Sequence, residues 1–383
     1  MKKALIVASV ASMIEQFNLN NIELLQQLGY EVHVATNFVA PGNISAQKAH
    51  ELAKSLEQQG VFCHEISFHR SPFRWQNLQA FKQLNALVKK EQFTLIHSHS
   101  PIGGILARIV GKLNKVPRNV YTAHGFHFFK GAPLVNWLVY YPIEWCMSWL
   151  TDELITINQE DYQRAQQHFK VKKIFKIAGV GVDTQAIASQ KRHRETLRAA
   201  FGIRDDEVVL LSVGELNHNK NHLTIIKALQ QLNHSAIKYF IVGMGSNQSV
   251  LEEYIEQNGL TEQVVLLGYR TDVAQLYGMA DIFCFPSQRE GLGLAAIEAM
   301  ASGLPLLTSN VHGINDYSQS GITGYTYSPM DSQGFASGIT QLLDDKQRLT
   351  MGKYNAELAK QYDKSVVNAS MYAIYQGENA PTA

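Results

Sequence analysis

Short unbroken apolar runs alternate along this chain with longer stretches whose apolar residues fall three and four apart. The first pattern marks strands buried on both faces and the second marks amphipathic helices. Residues 4–8 predict a buried first strand, residues 17–29 a helix and residues 31–36 a second strand, which together open a βαβ unit. Lys2 and Lys3 ahead of that run imitate the basic start of a short signal peptide, but the helix and strand that follow at once favour the buried strand. Apolar runs at 95–97, 119–122 and 154–157 then alternate with helical stretches at 78–90, 104–113 and 160–168. A second series has strands at 208–213, 239–242, 264–267, 282–285 and 306–308, with helices at 223–232, 249–258, 273–279, 295–302 and 333–343.

This double alternation predicts an α/β chain of two Rossmann-like domains, each a doubly wound parallel sheet, facing each other across a cleft. The strand pattern stops after Gly179-Val-Gly-Val-Asp183, and the polar segment Ser189-Gln-Lys-Arg-His-Arg-Glu195 begins, so the join is placed near residue 184. The expected organisation is an N-terminal acceptor-binding domain over 1–184 and a C-terminal nucleotide-sugar-binding domain over 185–360. Residues 361–383 are expected to form a helix that packs back on the N-terminal domain and ends in a flexible tail.

Residues 131–150, GAPLVNWLVYYPIEWCMSWL, are the one stretch apolar enough to consider for insertion, but Asn136, Pro142 and Glu144 interrupt it and are costly in hydrocarbon. It is not expected to span a bilayer. Trp137, Tyr140, Tyr141, Trp145 and Trp149 offer an aromatic face for a membrane interface, with a core helix as the equal alternative.

With 383 residues, 45% hydrophobic and 17% charged, the chain can divide a large core between two domains, which excludes disordered, collagenous and coiled-coil classes. A formal charge of +1 argues against nucleic acid as a partner. That near-neutrality hides an asymmetry: residues 1–180 hold 19 basic against 12 acidic residues, a net +7, and the remainder 15 against 21, a net −6. Lys112, Lys115, Arg118 and Lys130 are therefore candidates for anionic lipid head groups, each worth about 1 kcal/mol at a surface, against the plainer reading of solvated charge. Cys63, Cys146 and Cys284 are odd in number and widely spaced, which fits neither a disulfide framework nor a zinc site and suits a reducing cytoplasm.

The densest chemistry lies in Phe285-Pro-Ser-Gln-Arg-Glu-Gly-Leu-Gly-Leu-Ala-Ala-Ile-Glu298, a strand end, a glycine-containing loop and a helix. Were 290–298 wholly helical, Glu290 and Glu298 would lie about 12 Å apart along the axis, so Gly291 and Gly293 are expected to keep Glu290 in the loop and Glu298 in the helix. Backbone N–H groups at Gly291, Leu292, Gly293 and Leu294 then point toward a phosphate or a polar sugar face, and Glu298 can accept from a ribose. Val213-Gly-Glu-Leu-Asn-His-Asn-Lys-Asn-His222 likewise follows a strand and precedes a helix, where Lys220 offers a compact positive charge to a diphosphate and Asn217 and Asn219 cap or hydrogen-bond. Tyr121-Thr-Ala-His-Gly-Phe-His127 puts His124 just past an apolar strand as a donor or an acid–base group, with a structural histidine as the alternative. His97 and His99 are read as pointing to opposite faces of their strand, which rules out a shared zinc. No Asp-x-Asp occurs to hold a divalent cation on a nucleotide diphosphate, so no metal or other cofactor is expected.

Taken together, Thr122-Ala-His-Gly125, Gly181-Val-Asp183, residues 214–222, Leu267-Gly-Tyr-Arg270, Phe285-Pro-Ser287, the Glu290/Glu298 pair and Ser302-Gly-Leu-Pro305 resemble the retaining glycosyltransferases of the GT-B type, in the large family four of capsular and exopolysaccharide enzymes. The resemblance implies a sugar nucleotide, UDP-linked by default, held mainly by the second domain. Lys220 would meet the diphosphate, with Gly214, Asn219 and residues 291–294 around it, Glu298 would meet the ribose, and Glu290 the sugar hydroxyls. The base would lie against Tyr269 and Arg270, and His124 would line the donor sugar. Two features depart from many relatives: Glu215 stands where they carry Arg, and Ser9-Val-Ala-Ser-Met13 lacks their paired glycines.

The implied activity is metal-independent transfer, with retention, of a hexosyl or N-acetylhexosaminyl group to a lipid-linked saccharide acceptor. The enzyme would be cytoplasmic and peripheral on the inner face of the plasma membrane. A UDP-sugar 2-epimerase of the same build and a non-catalytic sugar-nucleotide-binding scaffold stand as alternatives. Nicotinamide chemistry is disfavoured because no G-x-G-x-x-G opens the first βα unit.

Overall fold

The computed structural model describes residues 2–69, 71, 74–99 and 101–378. The chain divides into two compact units, Met1–Val180 with Val367–Ala383, and Gly181–Val366. The tail expected after the last helix, residues 379–383, lies outside the described residues.

The first unit carries strands β1 (Lys2–Val7), β2 (Tyr30–Thr36), β3 (Phe62–Glu65), β4 (Leu95–His99), β5 (Arg118–Ala123), β6 (Glu153–Thr156) and β7 (Lys173–Lys176). They form one parallel sheet in the order β3-β2-β1-β4-β5-β6-β7. The second unit carries β8 (Val208–Val213), β9 (Ile237–Val242), β10 (Val264–Gly268), β11 (Ile282–Phe285), β12 (Leu306–Ser309) and β13 (Gly324–Tyr327), again parallel, in the order β10-β9-β8-β11-β12-β13. Both orders reverse once, between β1 and β4 and between β8 and β11, and ligands of open α/β sheets settle beyond the carboxyl ends of strands at such reversals.

The central strands are apolar throughout because helices cover both faces of each sheet. Ala4 to Val7 of β1 and Ile282 to Phe285 of β11 are all buried. Edge strands differ: β3 and β7 are only half-buried and read Phe-Cys-His-Glu and Lys-Ile-Phe-Lys, so no apolar run announces them. The helix expected over 17–29 is two helices, Ala11–Phe17 and Leu19–Gln27. Asn18 separates them; it is fully buried, and its amide donates to Met13 O at 3.0 Å while its carbonyl accepts from Asn21 at 3.1 Å. The polar segment at 189–195 is also helical, running through a 3-10 turn (Gln190–His193) into the helix Arg194–Ala200.

One helix, Lys364–Gln376, follows the second unit in sequence, yet from Val367 onward belongs to the first. Tyr375 Oη lies 2.7 Å from His97 Nδ1, and Arg118 donates to the carbonyls of Ile374 and Tyr375 at 2.8 and 2.7 Å. These bonds neutralise the carbonyls left open at the helix end.

Candidate active site

Two loops leave the sheet of the second unit where its strand order reverses, one after β8 and one after β11. Asn221, at a left-handed φ of 56°, turns the first loop into the helix His222–Leu232, and its side chain donates to Pro286 O at 3.1 Å and Pro329 O at 2.7 Å. Asn217 Oδ1 accepts from Lys220 N at 2.9 Å. Asn219 stitches the loops together: its amide donates to Arg289 O at 3.0 Å and its carbonyl accepts from Gln288 N at 2.8 Å. So braced, Lys220 Nζ reaches Glu290 Oε1 at 2.6 Å and sits 4.9 Å from the centroid of the Phe285 ring. The Lys220 stem crosses Gly214, where a Cβ would stand 3.1 Å from Lys220 Cε. Glu215 is exposed.

The second loop ends at Gly293, whose φ of 89° and closeness to Phe285, 2.6 Å from a would-be Cβ, admit no side chain without strain. The helix Leu294–Ala301 starts there, so Glu290 stands in the loop and Glu298 inside the helix, as the spacing predicts. Its first intrahelical bond runs from Ala296 N to Gly293 O, which leaves the N–H groups of Leu294 and Ala295 without helical acceptors. Leu292 is buried and anchors the loop. Gly313 N donates to Glu290 O at 3.1 Å, and a Cβ on Gly313 would overlap Gly291 O. Glu298 Oε2 accepts from Tyr277 Oη at 2.9 Å, and burial raises the Glu298 carboxyl above its usual range. Tyr269 is exposed, while Arg270 is held by Asp272 at 2.8 and 2.6 Å, so its guanidinium is committed within its own loop.

Lys220, Glu290, Gly214 and Asn219 thus come together, and residues 291–294 lead from Glu290 into the helix that carries Glu298. Asn221, Tyr277 and Gly313 were not singled out in the sequence. Asn221 sits in the Asn-rich run before a helix, a detectable turn signal, whereas nothing local marks Tyr277, 21 positions from its partner.

In the first unit the carboxyl ends of β4 and β5 place three histidines together. The expectation that His97 and His99 oppose each other fails, because positions two apart on a strand share a face, and their ring centroids are 4.3 Å apart. Their arrangement is nevertheless one of hydrogen bonds: His97 Nε2 lies 2.8 Å from Thr122 Oγ1, and His99 Nδ1 lies 3.0 Å from His124 Nε2. Burial pushes His97 down to about 3 and His124 to about 4. Elsewhere among the described residues, Glu31, His33 and Glu91 are spaced to hold a cation, but Lys3 Nζ already lies 3.0 and 2.7 Å from the two carboxylates.

The stretch 131–150 forms the helix Leu134–Ser148. Its aromatic residues divide: Trp137, Tyr140 and Tyr141 turn inward against Phe128 and Phe169, and Trp145 and Trp149 turn outward. The outward face is mainly Leu134, Val135, Leu138, Val139, Trp145 and Trp149, and Leu134 and Leu138 are 80% and 77% exposed. Glu144 faces inward and pairs with buried Arg108 at 2.8 Å, with Tyr121 Oη donating to it at 3.1 Å. Arg118 is also taken, by Glu153 and the two helix-end carbonyls, which removes it from the lipid-facing candidates; Lys112, Lys115 and Lys130 are exposed. No helix among the described residues is long and apolar enough to cross a membrane.

Residues 193–359 match the family Glycosyl transferases group 1, and residues 5–158 match Glycosyl transferase 4-like. EpsD of Bacillus subtilis, which bears a glycosyltransferase name, is 34% identical over 347 residues, 89% of this chain and 87% of that one. The UDP-Gal:alpha-D-GlcNAc-diphosphoundecaprenol alpha-1,3-galactosyltransferase of Escherichia coli is 30% identical over 300 residues, 76% of each chain. HepE of Anabaena, solved with UDP and glucose, shares the fold with a TM-score of 0.77 at 19% identity, over 98% of this chain and 100% of that one.

Proposed function

The chain belongs to the glycosyltransferases of the GT-B type, and from that membership we propose that it moves a hexosyl or N-acetylhexosaminyl group, with retention, from a UDP-sugar to a lipid-linked saccharide in polysaccharide assembly. The observation that carries this reading is Lys220, held at 2.6 Å by Glu290 in the loop that leads into a helix whose first N–H groups, of Leu294 and Ala295, have no helical acceptor. An ammonium and helix-start amides are what a departing diphosphate needs in place of a divalent cation. Tyr277 keeps one oxygen of Glu298 and leaves the other to ribose hydroxyls. The Tyr269 ring offers a stacking surface to uracil, and since Asp272 holds the Arg270 side chain, any contact from residue 270 to the base runs through its backbone.

On binding, the diphosphate displaces Glu290 from Lys220 and frees that carboxylate for the sugar hydroxyls. The anomeric bond then loosens toward a leaving group already neutralised, and the acceptor hydroxyl enters from the same face and passes its proton to the departing diphosphate oxygen. His124 is assigned to the transferred sugar. The lipid-linked acceptor is supported by the outward apolar face of the helix Leu134–Ser148, the exposed Lys112, Lys115 and Lys130, and the diphosphoundecaprenol substrate in the name of the Escherichia coli relative.

The test is UDP release from a panel of UDP-sugars with a lipid-linked saccharide acceptor, in the presence of a chelator. Wild-type protein should turn over, and Lys220→Ala should lose about 10²–10³-fold in kcat, the cost of removing one preorganised donor to a developing charge. Turnover that survives Lys220→Ala unchanged, or that vanishes with the chelator, contradicts the reading.

A further inference from the structure

The three histidines clustered at the ends of β4 and β5 do different work. His97 is satisfied on both sides, by Tyr375 Oη at 2.7 Å and Thr122 Oγ1 at 2.8 Å. His99 has only one partner: Nδ1 faces His124 Nε2 at 3.0 Å, while its buried Nε2 has none among the described residues. The ring of Phe17, 5.1 Å away, packs against His124, which is partly exposed.

Two neutral imidazoles joined by one hydrogen bond share a single proton between them, and the two ways of placing it are not equivalent. If His124 donated from Nε2, His99 would carry its own proton on Nε2 and bury an N–H with no acceptor. If His99 donates from Nδ1, its Nε2 is left as an unused lone pair. Buried orphan N–H groups are rarer and costlier than under-used acceptors, so the second arrangement is favoured. Both rings stay neutral at physiological pH because burial lowers both, His124 to about 4. The charged or titratable groups that bear on them are His97 and, through His97, Arg118, and both oppose protonation.

We propose that His99 is a positioning residue that fixes His124 as its Nδ1–H tautomer, so that His124 presents a hydrogen-bond donor, and not a proton acceptor, to the ligand. The proposal builds on the assignment of His124 to the transferred sugar, but the tautomer belongs to the free protein. It follows that His124 can hold a sugar oxygen and cannot take the proton of the acceptor hydroxyl.

Long-range 1H–15N spectra of the ¹⁵N-labelled full chain, without donor, read the tautomer directly. Wild-type protein should show His124 protonated on Nδ1; protonation on Nε2 overturns the proposal with no variant needed. His99→Asn places an amide donor where Nδ1–H was, and should keep both the tautomer and a kcat within about threefold. His99→Asp places an acceptor there, and should flip His124 to Nε2–H, raise its titration midpoint and lower kcat at least tenfold while the affinity for UDP is kept. A purely structural His99 would make the two variants alike, or move UDP affinity with kcat, and either result overturns the proposal. If the tautomers behave as stated but His124→Ala transfers sugar at the wild-type rate, the positioning stands and the assignment of His124 to the sugar falls.

Discussion

Glu298 is stabilised by a tyrosine and destabilised by its surroundings, and the balance can be read by titration. Desolvation raises its carboxyl above the ordinary 4.5, against the smaller opposite pull of the Tyr277 hydroxyl. Below the ordinary value both folded and unfolded chains hold the proton, and burial costs nothing. As pH rises from 4.5 toward the raised folded value the unfolded chain ionises first, stability falls, and the full penalty persists above that window. Glu298→Gln should therefore melt higher than wild type at neutral pH, by about 2–4 °C for each 1 kcal/mol relieved, and equal to it near pH 4. The same variant should bind UDP roughly tenfold more weakly, because a charge-assisted bond to the ribose becomes a neutral one. Calorimetry across pH with and without UDP reads both.

The acidic pair and Lys220 were legible because Pro286, Gly291, Gly293 and the Asn-rich run punctuate strand ends where only loops can follow. That Lys220 and Glu290 would touch was not legible. Seventy residues separate them, and the strand order that brings β8 beside β11 is not written in either loop. His97 and His99 were misread for a simpler reason, a period of two taken as a change of face.

At the scale of elements, most strands were found because they carry unbroken apolar runs, including the edge strand β10 with its Val-Val-Leu-Leu, and β3, β7 and β13 were missed because these half-solvated edges carry none. The helix Leu134–Ser148 shows both outcomes. Glu144 looked like an interruption of an apolar segment and is instead its anchor, held through Arg108 and Tyr121. Arg108→Ala should cost about 3–5 kcal/mol, since it strands a buried carboxylate, and this appears as a lower denaturation midpoint. Leu138→Asp, on the opposite face, should leave that midpoint unchanged and abolish sedimentation with anionic vesicles. Wild-type association should weaken as salt is raised, as the +7 of residues 1–180 requires; binding that ignores both salt and Leu138→Asp rules the surface out.

At the scale of the molecule, the first unit is discontinuous in sequence. A chain ended after Asp363 lacks Tyr375 beside His97 and the carbonyls that Arg118 reaches. Hydrogen exchange in such a truncation should quicken in β4 and β5 and stay slow in β8, β9 and β11; equal loss in both units would contradict this division. During synthesis residues 1–180 are made long before Val367 and the residues after it, so the first unit stays without its final helix while the second is being made. The half that begins first is finished last, and its histidine cluster waits with an open flank until the closing turns emerge.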